Sequence, residues 1–274
     1  MRFKNTALFG LLLIFSACTT STSDQEVDSS EDTIVTDPAL SLIDESIAAM
    51  GGLDAYRQLE NVTYNYTRMT EEGSRLISNE VYLYPSEDAY GRYPEAINPN
   101  SDTQERGVLE QFYIKDTVSV RFNGEPVYVL EALEQGRFSR KTNFYWLNMF
   151  FKLRDPGLTY KLLEDREFNG QTYRAVEVSF EDGVGDVKDI YLVYIDPRTK
   201  LIDYFLFTVM AAERAEPIMM KVEYQEAGGL MWPVGRSSLA SNWAGDLPAD
   251  AEWPPSVMIE DLQINTDIDM SLFE

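Results

Sequence analysis

Hydrophobic positions recur along this chain with two different periods, and the change between them marks out its elements. Leu40, Ile43, Ile47 and Met50 are spaced for one face of a helix. Asp37 is placed to cap that helix, Pro38 suits its first position, and Gly51-Gly52 supplies the positive φ that ends it. Residues 53–59 add a further turn or two. From residue 62 the period drops to two: Val62, Tyr64 and Tyr66 alternate with Thr63, Asn65 and Thr67, a half-buried strand with an aromatic inner face.

The same pattern predicts strands over residues 77–84, 89–93, 112–115, 118–122, 174–180, 190–195, 201–210, 218–224, 231–239 and 257–264. The connections between them are turn-like. Asn123-Gly124 and Asn169-Gly170 are hairpin signals, Asp116-Thr117, Asp196-Pro197-Arg198 and Gly228-Gly229 read as turns, and residues 181–189 form a glycine-containing loop. Short connections of this kind give an antiparallel meander, not βαβ units. In residues 201–210 both alternating sets are apolar, which predicts a strand covered on both faces, by helices inside and loops outside.

One segment breaks the meander. Residues 142–153 form a helix on which Lys141, Tyr145, Asn148 and Lys152 make a narrow stripe, while Phe144, Trp146, Leu147, Met149, Phe150, Phe151 and Leu153 spread over the remaining arc. A helix lying on a sheet needs an apolar face of only about 100°. The surplus is explained either by a buried core helix or by a helix that also lines an apolar cavity. The fold class expected is α+β, a curved antiparallel half-barrel of about ten strands wrapped around plugging helices.

The first residues follow neither period. Arg2 and Lys4 precede an apolar run over residues 7–15, broken only by Gly10, and Ser16-Ala17 precede Cys18, the single cysteine. This resembles a secretion signal ending in the lipobox of bacterial lipoproteins, with Phe15 where leucine is commoner. The run is too short to span a bilayer. Residues 19–37 are rich in Ser, Thr, Asp and Glu, with no aromatic residue, Lys or Arg, a composition that stays disordered. The organisation expected is therefore a signal peptide over 1–17, a lipidated Cys18 with an acidic spacer to residue 37, and a half-barrel domain over 38–274. Attachment to the membrane is expected through N-terminal acyl chains, two or more of which hold stably.

Charge and composition narrow the chemistry. The net charge of −23, two units more negative once Arg2 and Lys4 leave, repels nucleic acid and anionic headgroups. With no histidine and one cysteine, Ser-His-Asp, Cys-His and histidine-rich metal machinery are excluded. The 46 acidic residues leave a paired-carboxylate hydrolase formally open, but no pair stands out by spacing. Asp182, Asp186 and Asp189 do not follow calcium-loop spacing, and the sequons at Asn61 and Asn65 fall within a strand.

Ala48-Ala49-Met50-Gly51-Gly52-Leu53, followed by an aromatic strand, resembles an uncharacterised group of bacterial lipoproteins. So do Asp155-Pro156-Gly157-Leu158, Phe168-Asn169-Gly170, the run from Tyr173 to Val178, and the run from Tyr191 to Pro197. That group is similar to the lipoprotein-localisation (LolA/LolB-like) superfamily. The resemblance implies a half-barrel whose helices plug the concave side around an apolar cavity for acyl chains. Members often carry histidine before the Gly-Gly pair, where this chain has Met50. No ligand-contacting residue of the characterised carriers matches a position here.

The function expected is that of a non-enzymatic lipoprotein of the cell envelope, anchored at the outer membrane on its periplasmic or surface face. It binds a lipid or other apolar ligand in a cavity lined by Tyr64, Tyr66, Trp146, Phe150 and Phe151. No catalytic residue, metal ligand or cofactor is assigned. The alternative is a surface glycan-binding or structural lipoprotein with a packed interior, in which Trp232, Trp243 and Trp253 form an aromatic platform.

Overall fold

In a computed structural model, the described residues are 37–70, 73–168, 170–181, 190–209, 214–248 and 251–274. The leader, Cys18, the spacer before Asp37, the Asn169 turn position and the three aspartates of residues 182–189 lie outside them.

Helix α1 (Pro38–Ala49) starts as its sequence indicates: the Asp37 carboxylate accepts the Ala39 N–H at 2.9 Å, with Pro38 in the first turn. It buries Leu42, Ile43 and Ile47. Gly51, at φ 108°, ends it beside the backbone of Gly229 and Leu230, where a Cβ would collide with the Gly229 carbonyl oxygen. The Met231 N–H donates to the Met50 carbonyl, which ties this corner to the sheet. A single turn, α2 (Leu53–Tyr56), follows.

The rest is one open, curved antiparallel sheet of fourteen strands with one long helix, α3 (Leu130–Lys152), against it. The first six strands, β1 (Asn61–Met69), β2 (Arg75–Leu83), β3 (Ala89–Ile97), β4 (Arg106–Ile114), β5 (Thr117–Phe122) and β6 (Glu125–Val127), run outward in one meander. After α3 come β7 (Leu158–Leu162), β8 (Arg166–Phe168), β9 (Gln171–Phe180), β10 (Tyr191–Ile195), β11 (Ile202–Val209), β12 (Arg214–Ala227), β13 (Leu230–Ala240) and β14 (Pro255–Ile264). These run back to the middle, where β14 pairs with β1. Two meanders thus meet at the β1–β14 seam, and α3 links the outermost strands of the two, β6 and β7.

The count is fourteen strands, not about ten. Most of the difference lies in β6, β7 and β8, edge strands of three to five residues. Pro126 sits in the first of them, and strands this short give no period to read. The long helix also begins at Leu130, twelve residues before the apolar run at 142. Its first half is polar in sequence, yet Gly136 seats it against the side chains of Val118 and Val120, both 3.2 Å from where a Cβ would stand. The stripe of Lys141, Tyr145, Asn148 and Lys152 is solvated only in part: Lys141 is exposed, while Tyr145 and Lys152 are half-buried. Asn148 is fully buried, accepts the Tyr84 hydroxyl at 2.6 Å and donates to the Phe144 carbonyl at 2.7 Å.

A large core fills the space between α1, α3 and the inner face of the sheet. The expectation that β11 is covered on both faces holds. Phe205 and Phe207 join the inner core, while Leu206 belongs to an outer cluster with Tyr173, Tyr194 and Met219. Leu247 and Trp253, from the connection between β13 and β14, pack over that outer cluster.

Candidate functional site

The pleat of β2 sends Ser78, Glu80 and Tyr82 inward and leaves Ile77 and Asn79 exposed. Pairing then lays a row across the inner face: Tyr64 of β1 opposite Glu80, Glu80 opposite Gly91 of β3, and Gly91 opposite Gln111 of β4. Helix α3 crosses this row and places Arg140 on it. Arg140 and Glu80 form an ion pair in which neither side chain has any solvent access. Ser78 and Tyr82 donate to the same carboxylate at 2.5 and 2.7 Å, and Asn143 at 3.2 Å. The second Arg140 nitrogen donates to the Tyr93 hydroxyl at 2.8 Å. Burial works against charge on Arg140, but Glu80 outweighs it, so the guanidinium is held well above its ordinary value.

A second buried arginine is set differently. Arg236 of β13 stands opposite Val222 of β12, on the inner face, and is 3% exposed. One of its nitrogens donates to the Trp146 carbonyl of α3 at 2.7 Å, and the guanidinium carbon lies 5.4 Å from the Trp146 ring centre. Among the described residues no carboxylate pairs with it. Burial pushes it below its ordinary value, and the groups that oppose this are the Tyr66 and Tyr64 phenols.

Arg236 forms part of the wall of a cleft of about 200 Å³ between α3 and the sheet. The helix contributes Ser139, Thr142, Asn143 and Trp146; the strands contribute Tyr66, Leu76, Met220 and Val257; Arg68 and Phe138 are exposed at its margin. Arg68 follows Tyr66 on the same face of β1, since both continue the inward alternation of Val62 and Tyr64. Burial raises the Tyr66 phenol, and Arg236 works to lower it.

The five residues expected to line a cavity are therefore divided. Tyr66 and Trp146 reach the cleft. Trp146 also packs its ring 5.2 Å from Phe207 and 6.0 Å from Phe205. Tyr64, Phe150 and Phe151 lie beneath it in filled core: Tyr64 stacks on Tyr82 at 5.9 Å, Phe150 meets Phe205 at 5.7 Å, and Phe151 stacks on Tyr56 at 4.5 Å. Sequence reasoning missed Glu80, Arg140 and Arg236. The alternation through Ser78, Glu80 and Tyr82 was a usable signal for the first; the other two depend on which strand faces which helix turn.

Other hollows are separate from this one. One of about 340 Å³ lies at the far end of α3, among Tyr145, Lys152, Leu158, Val178, Phe180 and Tyr191. Another of about 530 Å³ opens on the outer face beside Phe168, Tyr204, Leu247 and Trp253. The three tryptophans of the expected platform do not come together there. Trp232 is sealed in the inner core with its indole N–H on the Ala227 carbonyl, Trp253 packs on Tyr204, and Trp243 is exposed.

Comparison with known proteins adds the following. The family described as "Family of unknown function (DUF6503)" matches residues 130–232, from the start of α3 to Trp232. No curated protein matches. Among solved structures, a LolA superfamily protein from Nitrosomonas europaea is 10% identical over 87% of this chain and 98% of its own, with a TM-score of 0.48. A DUF1329 family protein from Desulfovibrio piger is also 10% identical over 87% and 98%, with a TM-score of 0.47. Identity this low leaves function to the cleft's own side chains.

Proposed function

We propose that this protein is a non-enzymatic binding protein of the cell envelope that holds one apolar chain in the cleft between α3 and the sheet. One observation carries the reading: apolar side chains from both the helix and the strands, Trp146, Leu76, Met220 and Val257, border open space above a filled core. Each methylene moved from water into such a cleft is worth about 0.8 kcal/mol. The cleft is smaller than the roughly 300–1,000 Å³ usual for a pocket that encloses a whole drug-sized ligand. It therefore takes one end of a single chain, with Phe138 beside the part left outside. Tyr66 and Trp146 act as ligand contacts, and Tyr64, Phe150 and Phe151 act as the floor that supports them. Attachment through an acylated Cys18, at the outer membrane, keeps the cleft close to a source of such chains.

The test uses a neutral environment-sensitive probe, N-phenyl-1-naphthylamine. The wild-type chain should take it up saturably at one site, and Thr142→Trp, which fills the cleft from the helix side, should abolish uptake without changing the far-ultraviolet circular dichroism. Uptake that is absent, or indifferent to Thr142→Trp, defeats the cleft reading and leaves a packed scaffold. The anchor is tested separately by incorporation of labelled palmitate into the wild type and Cys18→Ser; equal labelling of the two removes it.

A further inference from the structure

The two buried arginines pose a contrast that folding alone does not explain. Arg140 has Glu80 for its charge and Tyr93 for a further N–H. Arg236 is sealed almost as completely and has the Trp146 carbonyl, the Tyr66 hydroxyl and the nearby Tyr64 phenol, but no anion among the described residues. A charge taken out of water costs several kcal/mol unless it is paired, and an isolated buried one is the costly case. A guanidinium has five N–H donors in a fixed fork; here the Trp146 carbonyl takes one, and the Tyr66 hydroxyl is a second hydrogen-bond partner. Among the described residues, no Arg236 nitrogen is both sealed from the surface and without a partner. The N–H groups that bond no protein atom therefore open on the cleft that Arg236 borders.

Building on the cleft reading, we infer that its ligand is a single-chain amphiphile with one carboxylate, a fatty acid, whose head is received by Arg236. The planar fork of a guanidinium matches a carboxylate through two parallel hydrogen bonds, shorter and about twice as strong as neutral ones. The Tyr66 hydroxyl stands by this site as the Tyr93 hydroxyl does by Arg140, so the ligand supplies the carboxylate that Glu80 supplies there. Trp146 fixes Arg236 from the helix side through its carbonyl and ring, which holds the fork in place before the ligand arrives. The hydrocarbon lies against Leu76, Met220 and Val257. Two features favour one chain with one charge: the cleft is about 200 Å³, and Arg68, the other arginine at this cleft, is exposed at its margin. A protein of net charge −23 repels anions at long range, so selective uptake of one depends on a local cation of this kind.

The test compares decanoate with 1-decanol as competitors of N-phenyl-1-naphthylamine on the full chain at pH 8, where decanoate is ionised. Decanoate should bind at least tenfold more tightly. In Arg236→Gln its affinity should fall to that of decanol, which itself should change less than twofold, and Arg236→Lys should retain part of the preference. Equal binding of the two by the wild type overturns the inference and leaves the cleft reading standing. Failure of both to compete overturns inference and reading together. A preference for decanoate that survives in folded Arg236→Gln overturns the assignment to Arg236. Should Arg236→Gln fail to fold, the wild-type comparison decides alone.

Discussion

The guanidinium of Arg140 lies in the space that a side-chain carbon on Gly91 would occupy. The relationship spans the two main parts of the fold, since Gly91 is on β3 and Arg140 on α3. Gly91 has no need of glycine's backbone freedom; it is glycine because the helix brings a large cation onto the strand there. Gly91→Ala should therefore destabilise the protein by about 1–3 kcal/mol, the usual cost of overfilling a packed site. Urea denaturation reads this as a lowered midpoint at an unchanged slope. An unaltered midpoint would mean that Arg140 moves aside freely and that the contact does not hold α3.

The ion pair beneath that contact makes a second prediction. Removing one partner leaves the other charged and buried, so Glu80→Gln and Arg140→Met should each cost about 3–5 kcal/mol. The double variant Glu80→Leu/Arg140→Met removes both charges and should lose much less than the combined cost of Glu80→Leu and Arg140→Met. Strict additivity in that cycle would show that the two residues do not depend on each other for their charge.

These residues also mark where the sequence stops being readable. Helix α1 was legible because its signals are local: a capping aspartate, a proline, a helical spacing and a glycine stop within fifteen residues. The meander was legible through alternation and turn residues, and the double covering of β11 through Phe205, Leu206 and Phe207. The first half of α3 was not, because Arg137, Arg140 and Lys141 read as solvent-facing, and only the glycines at 91 and 136 on opposing elements make room for it. The cleft was half legible. Tyr66 and Trp146 announce themselves as inward aromatics, while Arg236 is placed by the β12–β13 register, which shifts between Glu223 and Tyr224 and has no local signal.

Two tyrosine hydroxyls with opposite surroundings give a third prediction. The Tyr82 hydroxyl donates to the buried Glu80 carboxylate at 2.7 Å, and a hydrogen bond to a charged group is worth about 1.5–3 kcal/mol. Tyr82→Phe should cost that much. The Tyr194 hydroxyl, in the outer cluster, is buried with no partner among the described residues, and burial pushes it up to about 12. Tyr194→Phe removes an unsatisfied group without changing shape and should be neutral or stabilising by up to about 1 kcal/mol. Thermal melts of the two variants against wild type decide the matter, and a destabilised Tyr194→Phe would reveal a partner for that hydroxyl.

Acid stability supplies the last prediction, centred on the turn after β10. Burial works to raise the Asp196 carboxyl, but the Arg198 backbone N–H at 2.7 Å, the Arg198 guanidinium and the Gln171 amide at 2.7 Å outweigh it, and its value is lowered from 3.8. A carboxyl lowered in the folded state binds protons less readily there than in the unfolded chain. Its contribution to stability is therefore complete above 3.8 and is lost as the pH falls through the lower native value. Asp203, nearby on β11, works in the other direction: burial and then the Asp196 charge raise it, so its ionisation at neutral pH weighs against the fold. Asp196→Asn should accordingly be less stable than wild type at pH 7, with the gap narrowing below pH 3.8. Asp203→Asn should be as stable as wild type or more so at pH 7, with its advantage gone once the wild-type carboxyl is protonated. Urea midpoints measured from pH 7 to pH 2.5 test both curves, and a pH-independent gap for Asp196→Asn would mean that the turn is held by shape and not by the carboxylate's charge.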